Sequence, residues 1–232
     1  MIKRLAIIPA RSGSKRIKNK NIKIFCGEPI INYSIINLLN SKLFNKIHVS
    51  TDSERIKNIV EKKKIKVDFL RPKNLALDTT PTIDVIKYVY SEFKKLNLIF
   101  DEIWTVNPCC PLITHKELIK ASKDFAKSNK KLPLISSTEY PAPIEWAYFK
   151  NERNILLPLN KNNLFKRSQN FKKKYYEVGA FIIFPKVFFD SANYSSKNFI
   201  PFNLPREKSV DIDTIEDWKF AEKLYKLQFN VK

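Results

Sequence analysis

The residues best placed for chemistry lie in the stretch IIPARSGSKRIKNKN, residues 7–21. It runs from an apolar segment into a loop with no acidic side chain, and its five cations are Arg11, Lys15, Arg16, Lys18 and Lys20. Ser12, Gly13 and Ser14 can add backbone and hydroxyl donors, a combination suited to a bound triphosphate. A solvated basic loop would show the same composition.

Two common nucleotide-binding motifs do not occur in this loop. Gly13 is one of only three glycines in the chain, so the dinucleotide fingerprint GxGxxG is missing. Around Lys15 the sequence also lacks the first glycine of a Walker P-loop and the hydroxyl residue after the lysine. The loop therefore disfavours NAD, FAD and ATP hydrolysis of the P-loop type.

A second concentration of reactive groups is SVDIDTIEDW, residues 209–218. Asp211 and Asp213 flank one residue, so in an extended segment both carboxylates face the same side, as two oxygen ligands of Mg²⁺ would. The stretch also fits a helix start, because Asp213 or Thr214 can cap the last helix and Asp217 favours its first turn. Spacing alone leaves both interpretations open.

Composition indicates the class of protein that carries these motifs. The chain of 232 residues is 44% apolar and 12% aromatic, which predicts a single globular domain over 1–232. It has no apolar run of the roughly 18–20 residues that cross a bilayer and no apparent secretion signal, so we expect no membrane contact. Cys26, Cys109 and Cys110 form neither a disulfide framework nor a CxxC metal pair, which favours the cytoplasm.

The net charge of +20 raises the question of a polyanionic partner. Of the 43 basic residues 35 are Lys, and Lys, Asn and Ile are abundant throughout, as an AT-rich coding bias would produce. Since no helix-turn-helix, zinc-finger or RNP-like signature is present, we expect no nucleic-acid partner. A basic nucleic-acid-binding protein remains the alternative from a different class.

Short apolar runs alternate with helical patterns, which predicts a parallel sheet flanked by helices. The predicted strands are residues 5–9, 47–50, 67–70, 103–106 and 179–184. The predicted helices are residues 30–40, 54–63, 83–95, 115–128 and 214–227. The fold class is therefore α/β, with a Rossmann-like, doubly wound and mostly parallel sheet.

This architecture predicts where a ligand would bind. In an open parallel sheet ligands bind beyond the carboxyl ends of the strands, so the loops after the first four predicted strands should converge on one crevice. Residues 140–176 instead show prolines, aromatics and short strands, which indicates a small β-rich excursion for dimer contact or for covering the site. A plain hairpin over the core would fit equally well.

Five stretches resemble, in this order, the motifs of the acylneuraminate cytidylyltransferases, or CMP-nonulosonic acid synthetases: IIPARSGSKRIKNKNI, FCGEPIINYSI, VSTDSERI, FLRPKNLALDTTPT and VDIDTIEDW. The resemblance runs nearly end to end and implies a fold of the nucleotide-diphospho-sugar transferase type. It implies that CMP passes from CTP to a nine-carbon α-keto sugar acid, with pyrophosphate released and Mg²⁺ as cofactor. It also implies a homodimer and a product used in glycosylation of surface glycans or flagellin.

The resemblance implies roles for individual residues. Those it assigns to CTP are Arg11, Ser14, Lys15, Lys20, Asn21, Arg71 and Thr80, to which the donors of the loop itself add Ser12 and Gly13. Those it assigns to catalysis are Arg11, Lys15 and Lys20, with Asp211 and Asp213 as the Mg²⁺ ligands. In the implied reaction the anomeric hydroxyl attacks the α-phosphorus in line, and Arg11 and Lys15 neutralise the departing phosphates.

Within the family, YPAPIEWAYF and KRSQNF resemble the pseudaminic acid branch. The residues implied for the sugar site are Asn107, Arg167, Ser168, Gln169 and Glu177. Where most members have hydroxyl residues and an arginine, this chain has Cys109, Cys110 and Ile113. Residues 176–179 read YEVG, where the pseudaminic acid branch usually has His-Asp-Ala-Gly and the sialic acid branch Asn-Gly-Ala, so CMP-N-acetylneuraminate and CMP-legionaminate synthetases are the alternative activities.

Two other functions fit parts of the sequence. Asp211 and Asp213 also match the DxD metal site of sugar-transferring enzymes, although that motif usually ends a mid-domain strand and this pair lies about twenty residues from the last residue. The departures at Cys109, Cys110, Ile113 and Glu177 also fit a catalytically lapsed relative that only binds nucleotide.

Overall fold

The computed structural model describes residues 2–128, 131–191 and 197–230. Its strands are β1 Arg4–Pro9, β2 Ile24–Phe25, β3 Glu28–Pro29, β4 Lys46–Ser50, β5 Glu102–Val106, β6 Leu134–Glu139, β7 Tyr148–Lys150, β8 Leu156–Pro158, β9 Tyr175–Pro185 and β10 Ile200–Asn203. Its helices are α1 Ile30–Ser41, α2 Glu54–Glu61, α3 Thr82–Lys95, α4 His115–Lys127, α5 Val187–Asp190 and α6 Ile215–Phe229. In these ranges no helix is both long enough and apolar enough to cross a membrane.

A six-stranded sheet forms the centre of the fold, in the order β10-β6-β9-β5-β1-β4. β1 lies parallel to β4 and β5, and β10 lies parallel to β6. β9 runs antiparallel to both of its neighbours, β5 and β6. The predicted α/β class with a mostly parallel sheet is confirmed, with β9 as the antiparallel member.

Both faces of the sheet are covered, and β1 shows why its sequence is apolar throughout. Ala6 and Ile8 pack in one core cluster with residues of α1, α2 and α4. Leu5 and Ile7, which point the other way, pack in a second cluster with residues of α3. All four side chains are fully buried, as expected for a central strand between two layers of helices.

The starts of α2 and α4 are fixed by side-chain caps, whereas α1 and α3 begin after prolines without one. Ser53 accepts a hydrogen bond from the N–H of Ile56 at the start of α2. Thr114 and Glu117 form a capping box at the start of α4, with the Thr114 N–H donating to the Glu117 carboxylate over 2.8 Å. The predicted bounds of the five helices lie within about two residues of those observed.

The strand predicted at residues 67–70 is wrong. Val67 is buried there, but its N–H donates to the carboxylate of Glu61 over 3.2 Å and the segment forms no strand. The chain next meets the sheet at Arg71, whose N–H donates to the carbonyl of Thr51 over 2.7 Å. The apolar residues that indicated a strand therefore reflect packing, and β4 is the edge of the sheet.

The excursion predicted at residues 140–176 leaves the sheet after β6, and the chain returns at Tyr175, where β9 begins to pair with β6, so the excursion ends two residues earlier than predicted. It contains the antiparallel hairpin of β7 and β8, where Phe149 pairs with Leu157. Its exposed apolar residues include Ile144, Tyr148, Phe149, Ile155, Leu156, Leu157, Leu159 and Phe165. The segment thus presents a large apolar surface to solvent in the single chain.

Candidate active site

A cleft of about 410 Å³ opens at the carboxyl ends of β1 and β5. Its walls come from the loop after β1, the segment between Arg71 and α3, the loop after β5 and part of β9. The sequence-predicted residues that line it are Arg11, Ser14, Lys15, Lys20, Asn21, Arg71, Thr80, Asn107 and Glu177. Strand ends far apart in sequence therefore bring these residues to one place, as the sheet topology requires.

The loop after β1 is held by a carboxylate that follows β4. Ser12 donates its N–H and its hydroxyl to the two oxygens of Asp52, over 2.8 and 2.6 Å. Burial would raise the pKa of Asp52, but these hydrogen bonds outweigh burial and lower it below the usual range. Ser12 and Gly13 lie outside the cleft lining, and Gly13 passes close to the guanidinium of Arg11.

Arg71 provides a fixed cation at the base of the cleft. Its side chain is buried and donates to Ser50 twice, from Nη2 to the carbonyl over 2.6 Å and from Nε to the hydroxyl over 3.1 Å. Burial lowers the pKa of Arg71 to about 10, while the charge of Asp52 acts in the opposite direction. Arg71 therefore stays protonated at neutral pH and cannot turn away from the site.

Asn21 connects the loop after β1 to the loop after β5. Its Nδ2 donates to the carbonyl of Arg11 over 2.9 Å, and its Oδ1 accepts from the thiol of Cys109 over 3.4 Å. Asn107 accepts the N–H of Cys109 over 2.8 Å and donates to the carbonyl of Gly179 over 3.2 Å. Asn21 and Asn107 thus hold together three segments of the cleft, the loop after β1, the loop after β5 and part of β9. This structural role is separate from any contact with a ligand.

Asp211 and Asp213 do not line the cleft but are tied to its basic loop. Lys20 donates from Nζ to the carbonyl of Ile212 over 2.7 Å and lies 3.3 Å from Oδ1 of Asp213. Arg16 donates from Nη1 to the other oxygen of Asp213 over 2.7 Å. The two motifs singled out in the sequence are therefore in direct contact.

The acidic pair fits a divalent cation by its donor chemistry. Partial burial and then the charge of Asp213 raise the pKa of Asp211, while the charges of Lys20 and Arg16 act in the opposite direction. Within residues 2–128, 131–191 and 197–230, no group of three or more His, Cys, Asp or Glu could bind a metal ion. Two carboxylates with the remaining ligands from phosphate and water is the usual arrangement for Mg²⁺.

The capping interpretation of the same motif also holds. Thr214 begins α6, and Asp217 accepts its N–H over 2.7 Å in a capping box. Asp217 also accepts the N–H of Asp213 over 3.1 Å, so the helix cap fixes the backbone of the acidic pair. Capping by Thr214 and Asp217 leaves the side chain of Asp211 outside the cap, and the carboxylate of Asp213 contacts Lys20 and Arg16.

Asp78 is a site residue that the sequence analysis missed. One of its carboxylate oxygens contacts Nη1 of Arg11 and the other contacts Nζ of Lys15. Hydrogen bonds from Lys15 and then from Arg11 hold the pKa of Asp78 below its usual range. The signal in the sequence is a single acidic residue in the loop LALDTTPT, whose neighbours Leu77 and Thr80 line the cleft.

The residues implied for the sugar site are not all brought together. Asn107 and Glu177 line the cleft, and partial burial raises the pKa of Glu177. Arg167, Ser168 and Gln169 are exposed in residues 140–176 and are not part of the lining.

Comparisons with known proteins agree with this geometry. A family model described as cytidylyltransferase matches residues 5–231. A pseudaminic acid cytidylyltransferase of Campylobacter jejuni subsp. jejuni serotype O:2 is 37% identical over 97% of each chain. A CMP-N,N'-diacetyllegionaminic acid synthase of Legionella pneumophila subsp. pneumophila is 28% identical over 96% of each chain.

Solved structures show the same fold. A CMP:2-keto-3-deoxy-manno-octonic acid synthetase complexed with CTP superposes with a TM-score of 0.71. The alignment covers 98% of this chain and 100% of that chain at 16% identity.

Proposed function

The chain belongs to the cytidylyltransferase family, and we propose that it transfers CMP from CTP to a nine-carbon α-keto sugar acid of the pseudaminic acid type, releasing pyrophosphate. The observation that carries the proposal is the cleft, where Arg11, Lys15, Lys20 and Arg71 gather at the carboxyl ends of β1 and β5. A likeness of 37% over nearly the whole chain to a pseudaminic acid cytidylyltransferase supports this sugar class.

The reaction proposed for this cleft needs positioning and charge stabilisation more than covalent chemistry. The oxygen of the anomeric hydroxyl attacks the α-phosphorus of CTP, its proton passes to solvent, and the bond to pyrophosphate breaks on the opposite side. Arg11 and Lys15 neutralise the charge that grows on the leaving pyrophosphate. Because Ser12 is anchored to Asp52, the loop that carries these cations does not have to be ordered by the nucleotide.

We assign Mg²⁺ to Asp211 and Asp213. When bound, the cation would neutralise phosphate charge and polarise the α-phosphate. Asp213 lies beside the basic loop, where Lys20 and Arg16 contact its two oxygens and would give way to the cation.

We also propose a homodimer formed through residues 140–176. The exposed apolar side chains of this segment are the kind of surface that a second copy would cover. Arg167, Ser168 and Gln169, which lie outside the cleft of the single chain, would join the sugar site in that assembly. The three cysteines are free thiols, which suits a protein that works in the cytoplasm.

The test is CTP-dependent release of pyrophosphate with pseudaminic, legionaminic and N-acetylneuraminic acids side by side, with the product identified by mass. We expect turnover to be highest with pseudaminic acid. Arg11→Ala and Asp211→Asn should each lower kcat/KM by about 100-fold or more, in line with the loss of one transition-state donor.

Lys18→Ala is the matched control, since Lys18 is an exposed cation of the same loop that does not line the cleft. This variant should stay close to wild type. Undiminished turnover in both Arg11→Ala and Asp211→Asn would contradict the roles assigned here, and turnover confined to legionaminic or N-acetylneuraminic acid would contradict the sugar class.

A further inference from the structure

The carboxylate of Asp78 forms ion pairs with two cations of the basic loop. Arg11 and Lys15 are the residues assigned above to the departing phosphates, yet in this structure both are occupied by one carboxylate of the chain itself. Each oxygen of Asp78 meets a different cation. Two oxygens of a phosphate group would bridge the same pair in the same way.

Lys15 makes this contact from the surface. Its side chain is 84% exposed, so packing does not fix its position, but its ammonium group lies on Asp78. The Asp78 side chain is itself only 34% exposed, because it lies against the loop after β1. The two residues are brought together by the segment that runs from Arg71 to α3, whose residues Leu75, Leu77 and Thr80 line the nucleotide cleft.

We propose that Asp78 is an internal counter-ligand of the phosphate site: its carboxylate occupies Arg11 and Lys15 until CTP or pyrophosphate displaces it. This inference rests on the proposed function and names a positioning residue for it. Because Asp78 competes with phosphate, it weakens the binding of pyrophosphate and so favours release of that product. When the triphosphate displaces Asp78, the segment from Arg71 to α3 also loses its contact with the loop after β1.

A general effect of charge has to be separated from this specific one. Removing any nearby carboxylate makes the cleft more positive and strengthens anion binding somewhat. Asp84, exposed on the first turn of α3, belongs to the same region of the chain but is not part of the cleft lining. Asp84→Asn therefore changes the net charge as Asp78→Asn does, without freeing Arg11 and Lys15.

The experiment measures binding of pyrophosphate alone to the full chain by calorimetry, for wild type, Asp78→Asn, Asp78→Glu and Asp84→Asn. We expect Asp78→Asn to bind pyrophosphate about three- to tenfold more tightly, the range for release of partly exposed ion pairs. Asp84→Asn and Asp78→Glu, which keep the competing carboxylate, should stay within about twofold of wild type. In turnover assays KM for CTP should fall in Asp78→Asn without a rise in kcat.

A double-mutant cycle adds a second readout. In a Lys15→Ala background the effect of Asp78→Asn on pyrophosphate affinity should shrink, because one of the two occupied cations is gone. Asp78→Asn affinity no tighter than that of Asp84→Asn overturns the inference, and so does failure of both wild type and Asp78→Asn to bind pyrophosphate. Absence of turnover with every sugar acid would instead overturn the proposed function, and the pyrophosphate comparison would still decide the role of Asp78.

Discussion

Cys109 links two segments of the cleft through a single hydrogen bond. Its thiol donates to Oδ1 of Asn21, whose Nδ2 holds the backbone of Arg11. Burial raises the pKa of Cys109 to about 12, so the thiol remains a protonated donor at physiological pH. Cys109, at a position where the resemblance implies a hydroxyl residue, therefore still acts as a hydrogen-bond donor.

The substitution pair Cys109→Ser and Cys109→Ala separates the donor from the space that the side chain fills. Cys109→Ala should raise KM for CTP several-fold, since a buried acceptor left without its partner costs about 1–3 kcal/mol. Cys109→Ser should remain near wild type because a hydroxyl can donate to Asn21. Equal KM values for the two variants would show that the hydrogen bond does not position Asn21.

The lowered pKa of Asp52 predicts that the stability of the fold depends on pH. Its pKa is lowered in the folded protein, so its contribution to stability is present above the unfolded pKa of about 3.9 and is lost as pH falls through the folded value. Asp52→Asn should be less stable than wild type at pH 7 by about 0.5–1.5 kcal/mol, because Ser12 loses a charged acceptor. Urea unfolding from pH 7 to pH 3 would test this, and a difference that persists undiminished at pH 3 would contradict it.

The residues found from sequence belong to a local pattern, whereas the missed residue acquires its role from a contact that only the fold creates. Arg11, Lys15 and Lys20 belong to one short basic loop, so composition and order were enough to single them out. Asp78 acquires its role only when the sheet places the segment after Arg71 against that loop. No local pattern encodes such a contact, although its position in a loop expected to line the pocket is a usable signal.

At the scale of elements, the five longer helices were predicted, whereas the strand at residues 67–70 was wrong and β2, β3, β6, β10 and the short helix α5 were not predicted. A helix satisfies its own backbone, and caps such as Thr114 mark its start in the local sequence. A strand also needs a hydrogen-bonding neighbour, and residues 67–70 do not pair with the free side of β4, the edge strand of the sheet. The antiparallel position of β9 between β5 and β6 was equally invisible, since strand order is set by the whole fold.

The two capping boxes give a matched pair of variants. Thr214→Ala and Thr114→Ala each remove a cap and should each lower the free energy of unfolding by about 1 kcal/mol. Only Thr214 lies beside the acidic pair, where Asp217 fixes the N–H of Asp213. We therefore expect Thr214→Ala alone to raise the Mg²⁺ concentration needed for half-maximal turnover.

Denaturant unfolding and Mg²⁺ titrations of turnover would check both effects. If Thr114→Ala shifted the Mg²⁺ requirement as much as Thr214→Ala, the shift would follow stability and not the metal site.

At the scale of the whole molecule, residues 140–176 show the limit of what one chain reveals. The change of composition was enough to predict that this segment leaves the sheet, and β7 and β8 form its hairpin. In the part of the chain that the structure describes, its apolar side chains stay exposed, and neither periodicity nor motif identifies what would cover them. Phe165, which is 98% exposed, and Leu156, which is 61% exposed, belong to this surface.

A second copy of the chain is the partner we propose, and its removal should affect the two substrates differently. Phe149→Asp together with Leu156→Asp places charges on the hairpin at positions that are exposed in the single chain, so the fold should persist while the dimer dissociates. By sedimentation, wild type should be a dimer and the variant a monomer. Leu227→Asp, at an exposed position on α6, should remain a dimer.

Loss of the dimer should affect CTP and the sugar acid differently. CTP affinity should be unchanged in the monomer because the loop after β1 is built within one chain. KM for the sugar acid should rise about tenfold or more, since Arg167, Ser168 and Gln169 can no longer join the site. A wild-type monomer with full activity, or equal loss for both substrates, would contradict this assembly.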